Sequence, residues 1–419
     1  MKKLLIISSW APPMIGGPQN LYNIFSQFPN DSYSIITSYN SIVNSLHSRI
    51  KGSWLPCKYY YFDTADHSYV SQQNIQTTKG HNFNFKRRLH GLLNKIPLVN
   101  TAVNYYLIPI KLILQFTSRT ISIVKRKNIK ILFGISDSGA ALITTFLTYL
   151  VTKIPYVLYF FDIYKENNLS GIYKILSKLF EKSLIQKSSL TILTNEKTEE
   201  FFKNKYGKNL KTAIVYNSTF TENYKKIKHS YNPQPPYKII FTGNVYWPQE
   251  QSLLNLIEAI NLIHDIAIEL HLYIPILTDT IKQKTAYKKN IVINSASPSE
   301  MPIIQSNADL LFLPLSWNTK SPDIIATATP GKFTDYLASG RPMLVHAPDY
   351  AYVSQYTKEY RLGLVVDKND AQLLADTIRD FLKDPSIGQQ YIDNALKIFY
   401  QNHDARKNAK KLIKLLKMV

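Results

Sequence analysis

The stretch with the most chemical content runs from Thr329 to Pro342: Thr-Pro-Gly-Lys-Phe-Thr-Asp-Tyr-Leu-Ala-Ser-Gly-Arg-Pro. Thr329 has the side chain of an N-cap, Pro330 suits the first helical position, and Gly340 can end a helix in a left-handed turn. The segment therefore predicts a helix over 330–339, with Phe333 and Leu337 supplying its buried stripe at i and i+4. Lys332 falls in the first turn, the end at which the helix dipole disfavours a cation. A bound phosphate removes that conflict, because free backbone N–H groups and the ammonium would hold it together. A solvated surface lysine is the alternative. Asp335, three residues on, lies near the same face; it can accept from ribose hydroxyls or stand solvated.

Three more segments place small or acidic residues where strands end. Ser8 to Pro18 contains Trp10, Pro12-Pro13 and Gly16-Gly17. It lacks the G-x-G-x-x-G fingerprint, so nicotinamide binding is not supported. Gly16 and Gly17 let backbone approach a ligand at the start of the next helix, or they simply make a turn. Phe241-Thr242-Gly243-Asn244 ends an apolar run in a glycine that permits close approach to a phosphate. Phe160-Phe161-Asp162 sets an acid at the carboxyl end of another run, where Asp162 can orient an acceptor or donor hydroxyl, or cap the next segment. No His, Asp and Glu cluster has metal-ligand spacing. The single cysteine, Cys57, excludes an internal disulfide framework and reads as a passive thiol beside Tyr59-Tyr60-Tyr61-Phe62.

Positioning these residues falls to alternating short apolar runs and longer amphipathic stretches, the pattern of parallel α/β structure. Strands are expected at Leu4–Ser8, Tyr33–Thr37, Ile129–Phe133, Tyr156–Phe161, Leu190–Thr194 and Thr212–Val215, with helices at Ala140–Val151 and Gly171–Gln186. Residues 217–236, closing on Pro233-Gln234-Pro235-Pro236, read as a linker. A second set follows. Its strands are Lys238–Thr242, Ile268–Ile274, Ile291–Asn294, Leu310–Pro314, Pro342–His346 and Gly363–Val366. Its helices are Gln251–Ile263, Glu300–Ser306, the 330–339 helix and Ala371–Lys383, before a basic helix over Asp404–Met418. The expected division is residues 1–216, a linker 217–236, residues 237–403 and a terminal helix 404–419. Two doubly wound halves would then face a central cleft, and open α/β sheets bind ligands at such edges.

Charge narrows the partners. The chain of 419 residues carries a net +21, and residues 1–215 hold 27 Lys+Arg against 10 Asp+Glu. So basic a half favours an anionic partner. Nucleic acid is not expected, because the cations are scattered and no binding motif accompanies them. Leu4–Ile7 is too short for a signal-peptide core, and no apolar run reaches the length of a bilayer span. Residues 86–126 instead open with Lys86-Arg87-Arg88 and alternate Leu89, Leu92, Leu93, Ile96, Tyr105, Tyr106, Leu107, Ile110 and Ile113 before Lys125-Arg126-Lys127. That edging of apolar residues with cations suits a surface lying on an anionic membrane. A core helix pair interrupted by Pro97 and Pro109 is the alternative.

Taken together, these segments resemble the bacterial retaining glycosyltransferases of family 4, the glycosyl transferases group 1. The resemblance spreads over nearly the whole length: the Pro-Pro and Gly-Gly loop, Val215-Tyr216-Asn217, the Gly243 turn, Ala308-Asp309 before Leu310–Pro314, and Lys332 to Pro342. It departs from the family where Thr327 replaces the first of two glutamates, Asp335 replaces the second, and Tyr246-Trp247-Pro248-Gln249 replaces a basic pair. The resemblance implies a GT-B fold and transfer of a sugar from a UDP- or GDP-type donor without metal or other cofactor. The acceptor would be a polar saccharide, free or lipid-linked, in surface polysaccharide synthesis. It places the nucleotide sugar on Gly16, Gly17, Gly243, Asn244, Thr329, Pro330, Gly331, Lys332, Phe333 and Asp335, with Asp162 and Lys332 as catalytic residues and Arg341 as a further diphosphate contact. A cytoplasmic enzyme, peripheral on the inner face of the membrane, is expected. A sugar epimerase or polyol-phosphate transferase on the same fold, or an inactive membrane- or polyanion-binding relative, stands as the alternative.

Overall fold

The computed structural model describes residues 2–46, 52–64, 97–137, 139–224, 230–317 and 319–419. They form two compact units, one of Met1–Val215 with Lys411–Val419 and one of Tyr216–Lys410.

The first unit is built on seven parallel strands: β1 (Leu4–Ile7), β2 (Tyr33–Thr37), β3 (Lys58–Tyr61), β4 (Ile131–Ile135), β5 (Tyr156–Phe160), β6 (Leu190–Leu193) and β7 (Thr212–Ile214). Their order is β3-β2-β1-β4-β5-β6-β7, with Leu4 opposite both Tyr33 and Ile131. The inner strands are buried along their whole length, which is why they read as continuous apolar runs rather than alternating ones. Helices α1 (Gly17–Phe25), α2 (Tyr39–Leu46), α3 (Pro97–Ala102), α4 (Ile108–Lys127), α5 (Ala140–Thr152), α6 (Gly171–Gln186) and α7 (Glu196–Tyr206) connect them.

Two expectations change here. Strand β4 starts two residues later than the apolar run, because α4 ends on Asn128 in a left-handed conformation and the chain turns before Ile131. Pro109 does not interrupt a helix. It lies inside a continuous helical run, directly after a π-helical turn at Val103–Leu107, the local widening that accommodates its ring and its missing N–H. The resulting helical run, Asn100–Lys127, is long and apolar enough to cross a membrane by length and composition. Its stripe Ile113, Phe116, Thr117, Thr120 and Val124 is nevertheless buried inside the unit. Gly171, at the start of α6, packs so close to this run that a Cβ there would lie 2.2 Å from the Tyr105 carbonyl oxygen.

The second unit repeats the plan with β8 (Tyr237–Thr242), β9 (Ile268–Tyr273), β10 (Ile291–Asn294), β11 (Leu310–Pro314), β12 (Met343–His346) and β13 (Gly363–Val366), ordered β10-β9-β8-β11-β12-β13 and all parallel. Its helices are α8 (Trp247–Leu262), α9 (Asp279–Thr285), α10 (Met301–Ser306), α11 (Pro322–Thr327), α12 (Gly331–Ala338), α13 (Tyr352–Tyr360), α14 (Ala371–Lys383) and α15 (Gly388–Ile398), and α16 (Ala405–Lys417) begins in this unit and ends in residues that belong to the first. The pleat of β8 sorts its side chains. Ile239 and Phe241 join Leu253, Leu256, Leu374 and Ile378 on one face, while Ile240 joins Leu311, Phe333, Leu337 and Tyr356 on the other. Helix α8 begins four residues before its expected start, since Pro248 fits the first turn after extended Tyr246.

Candidate functional site

Both sheets run 3-2-1-4-5-6 in their own strand numbering, the first with a seventh strand beyond the sixth. In such a sheet the chain leaves strands 1 and 4 toward opposite faces and opens a crevice at their carboxyl ends. In the second unit those strands are β8 and β11, direct neighbours through Leu310 and Ile239.

Strand β8 ends at Thr242, and Gly243 turns the chain with φ of 104°, a conformation only glycine adopts without strain. Asn244 beyond it is exposed. Lys332 arrives from the first turn of α12. Its Nζ lies 3.0 Å from Gln249 Oε1 and 3.9 Å from the centroid of the Phe241 ring. A Cβ on Gly243 would stand 3.5 Å from that nitrogen, so turn and ammonium line one spot. The lysine is half-buried, and desolvation pushes its pKa well below that of an ordinary lysine. Among the described residues it has no carboxylate partner. A desolvated cation at a switch point, next to a glycine turn, is an arrangement an anion completes.

Thr329 does not cap α12. Pro330 takes the N-cap position, with no side-chain cap hydrogen bond. Proline fixes the extended entry that the threonine hydroxyl was expected to supply, and the Thr329 carbonyl instead accepts from Asn217 Nδ2 at 2.9 Å. Phe333 N donates to Pro330 O at 2.9 Å, so Gly331 and Lys332 carry the N–H groups that the helix leaves without an internal acceptor. The Phe333 ring is fully buried against Tyr356 and His403. Thr327, where the resemblance expects a glutamate, bonds Asp323 O within α11. Arg341 is not in the site: it lies past the far end of α12 and donates to Ser230 O and Gly340 O, near Asp309.

Asp335 is half-buried on α12, and its carboxyl accepts from the Thr219 and Tyr224 hydroxyls. Burial raises its pKa to about 6 against the pull of those two donors. Neither residue carried a sequence signal, since each lies more than a hundred positions away.

In the first unit, β1 and β4 make the equivalent crevice. Gly16, with φ of 84°, starts α1 without any side-chain cap, and nothing stands within 4 Å of a Cβ built on Gly16 or Gly17. Asp137, which sequence reading overlooked, closes this end. Its carboxylate accepts from Ser9 N at 2.6 Å, Gly139 N at 2.9 Å and Ala141 N at 3.3 Å, joining the loop after β1 to the start of α5. A Ser-Asp-Ser-Gly run directly after an apolar strand was the available clue. Asp162 follows β5 and is exposed. It caps no helix, because Ser170 holds the N-cap of α6. The segment carrying it is fastened by Glu181, which is almost wholly buried and accepts from Lys165 N at 2.9 Å, Lys205 Nζ at 3.0 Å and the Tyr206 hydroxyl. Among the described residues no group of three or more His, Cys, Asp or Glu side chains could hold a metal ion.

Comparison with known proteins bears on the second unit and on the fold. Residues 236–384 match the family described as Glycosyl transferases group 1. No curated relative matches the sequence. Among solved structures, Anabaena HepE in complex with UDP-glucose superposes with a TM-score of 0.67 at 12% identity, covering 100% of both chains. Sucrose-phosphate synthase from Thermosynechococcus elongatus gives 0.64 at 12% identity over 100% of this chain and 99% of that one. An α,α-trehalose 6-phosphate synthase from Burkholderia multivorans gives 0.63 at 9% identity over 100% and 97%.

Proposed function

We propose that this chain, a group 1 glycosyltransferase by its second unit and GT-B in fold, moves a hexosyl group from a UDP- or GDP-type sugar to a hydroxyl of a polar, lipid-linked saccharide, with retention of anomeric configuration. One observation carries the reading: Lys332, half-buried and without a carboxylate, stands beside the Gly243 turn at the switch point of the second sheet. As the glycosidic bond breaks, negative charge grows on the β-phosphate, and a positioned cation with backbone N–H groups stabilises it there. Lys332 and the N–H groups of Gly331 and Lys332 supply these, Gly243 and Asn244 leave the space open, and Asp335 keeps lone pairs for the ribose. Asp162, in the first unit, orients an acceptor or donor hydroxyl. The HepE structure holds UDP-glucose, which supports the uridine form of the donor.

Thermal-shift screening against nucleotide sugars tests donor binding, since a ligand that binds only the folded state raises the melting temperature. Release of nucleoside diphosphate only on adding acceptor would distinguish transfer from epimerisation. A panel in which no nucleotide sugar shifts the melting temperature would end this reading and leave the inactive, polyanion-binding alternative.

The lipid-linked acceptor and a peripheral place on the inner membrane face draw on the first unit. Lys86, Arg87 and Arg88 lie outside the described residues. In the described part, Tyr105, Tyr106, Leu107, Ile110 and Leu114 are exposed, and α6 presents Lys174, Ile175, Lys178, Leu179 and Lys182 outward beside them. Exposed apolar side chains among lysines suit the headgroup region of an anionic bilayer. In vesicle co-sedimentation, binding should require anionic lipid, weaken with salt and drop when Lys174, Lys178 and Lys182 become glutamine. Salt-insensitive binding, or none, would count against it.

A further inference from the structure

Behind the ribose and phosphate contacts assigned above runs a line of buried polar side chains. The Tyr224 hydroxyl bonds the Asp335 carboxyl and also lies 2.9 Å from Gln305 Oε1. Gln305 Nε2 lies 3.3 Å from Thr242 Oγ1, which is 3.2 Å from the Tyr336 hydroxyl, and that hydroxyl accepts from Thr242 N at 3.1 Å. Tyr224, Gln305, Thr242 and Tyr336 are all buried. Gly243 and Lys332 come directly after the end of this line.

Proton counting fixes its direction. A phenol has one hydroxyl proton, and an ionised carboxylate can only accept. Tyr224 must therefore donate to Asp335, so Gln305 cannot be accepting from Tyr224. Turning the Gln305 amide about its last bond resolves this, placing NH2 toward Tyr224 and the carbonyl toward Thr242. Every bond then points the same way: Thr242 N to Tyr336, Tyr336 to Thr242 Oγ1, Thr242 to Gln305, Gln305 to Tyr224, and Tyr224 to Asp335. No buried group in the series is left unpaired.

We propose that Tyr224 and Gln305 are positioning residues of the nucleotide-diphosphate site, tying the carboxylate of Asp335 to the peptide that leads into Gly243. The inference rests on the donor-binding reading above. Neither side chain touches the donor. Their part is to hold Asp335 ionised with two of its lone pairs engaged, leaving the others for the ribose hydroxyls, and to keep the Gly243 turn at a set height beside Lys332.

The charged and titratable groups on the neighbouring elements are otherwise engaged. Asp404 takes Thr221 and Lys407 N, Arg406 pairs with Glu222, and His403 bonds the Asn217 carbonyl. Lys332 and Tyr336, on the helix of Asp335 itself, have the partners given above. Asp335 is thus the group whose protonation would cut the line.

Tyr224→Phe keeps the ring and removes the donor. Calorimetry of the parent with UDP and 2′-deoxy-UDP between pH 5 and pH 8 should show a preference for the ribonucleotide that fades as pH falls through about 6. In Tyr224→Phe, UDP binding should weaken about tenfold, and the midpoint of that fading should move to higher pH, since the carboxylate has lost a donor. In an Asp335→Asn background the profile should be flat, and Tyr224→Phe should add little, the mark of coupled residues. If Tyr224→Phe lowers expression, Gln305→Met interrupts the same line from its middle and should weaken UDP in the same way. Parent-like affinity with an unmoved midpoint in either variant, or a loss of melting temperature alone, would overturn the proposal. A parent that binds neither nucleotide would instead overturn the donor-binding reading, and with it this one.

Discussion

Replacing Lys332 removes a cation from the crevice of the second sheet, and the structure allows the cost to be worked out. The ammonium has a neutral acceptor, Gln249 Oε1 at 3.0 Å, and an aromatic face, Phe241 at 3.9 Å. A bond from this charge to a phosphate oxygen is worth roughly 1.5–3 kcal/mol, so Lys332→Ala should weaken UDP or GDP by about 10- to 100-fold. The nucleoside lacks the phosphates and should lose less than about twofold. Stability should move little, since the unpaired Gln249 carbonyl and the relief of a half-desolvated cation act in opposite directions. Lys332→Met keeps the stem on Phe241, separating charge from packing. There is a second signature. Burial holds the lysine's pKa low in the free protein, and a diphosphate raises it. Binding should therefore take up protons at pH values above that depressed pKa. Titration calorimetry of the parent in two buffers of different ionisation enthalpy should give different heats, and the same heats in Lys332→Met. Equal losses for uridine and UDP, or no loss for either, would refute the assignment.

Three further outcomes follow from the same geometry. Asp335→Ala should lower UDP affinity about tenfold while leaving 2′-deoxy-UDP less affected, with the fold retained, because Phe333 and Leu337 carry the packing of α12. Competition binding reads both. Asp162→Asn should cut the turnover of any acceptor by about 100-fold or more without changing the thermal shift given by the donor, if it works on an acceptor hydroxyl; a lost donor shift would move Asp162 to the other substrate. Glu181→Ala should cost about 1–3 kcal/mol in a urea melt, since it takes the acceptor from the Lys165 amide and the Tyr206 hydroxyl while Lys205 keeps Glu166.

Parallel strands buried on both faces leave apolar runs in the sequence, and Tyr33–Thr37 and Leu310–Pro314 could be read to the residue for that reason. Strand β3 escaped because it opens on a lysine and its tyrosines read as the surroundings of Cys57. Helix α7 is mostly polar, with only Thr198 and Phe202 buried, so apolar periodicity missed it. Its ends were nevertheless marked: Asn195 accepts from Thr198 N, acids fill the first turn, and Lys203 and Lys205 close the last. At the site, helix-start chemistry singled out Lys332, and a glycine closing an apolar run singled out Gly243, both from local sequence alone. Its partners were invisible, because Gln249, Tyr224, Thr219 and Gln305 reach α12 only through the tertiary fold. Thr329 shows the limit of local rules: a proline next to it took the position that the threonine favours on propensity.

The last nine residues belong with the first unit although the second unit lies between them in sequence. Synthesis therefore completes the two in the reverse of their order of appearance. Residues 216–410 form an uninterrupted stretch that can close as soon as it leaves the ribosome. The first unit must wait for a strand of chain made roughly 200 residues later, about 10–40 s at common elongation speeds. Until then the first unit has all seven strands of its sheet but lacks the helical end of the chain that groups with it. An expression clone ending before Lys411 would leave the second unit whole and the first one short, so separate production of the halves calls for grafting Lys411–Val419 back onto residues 1–215 by a designed connector.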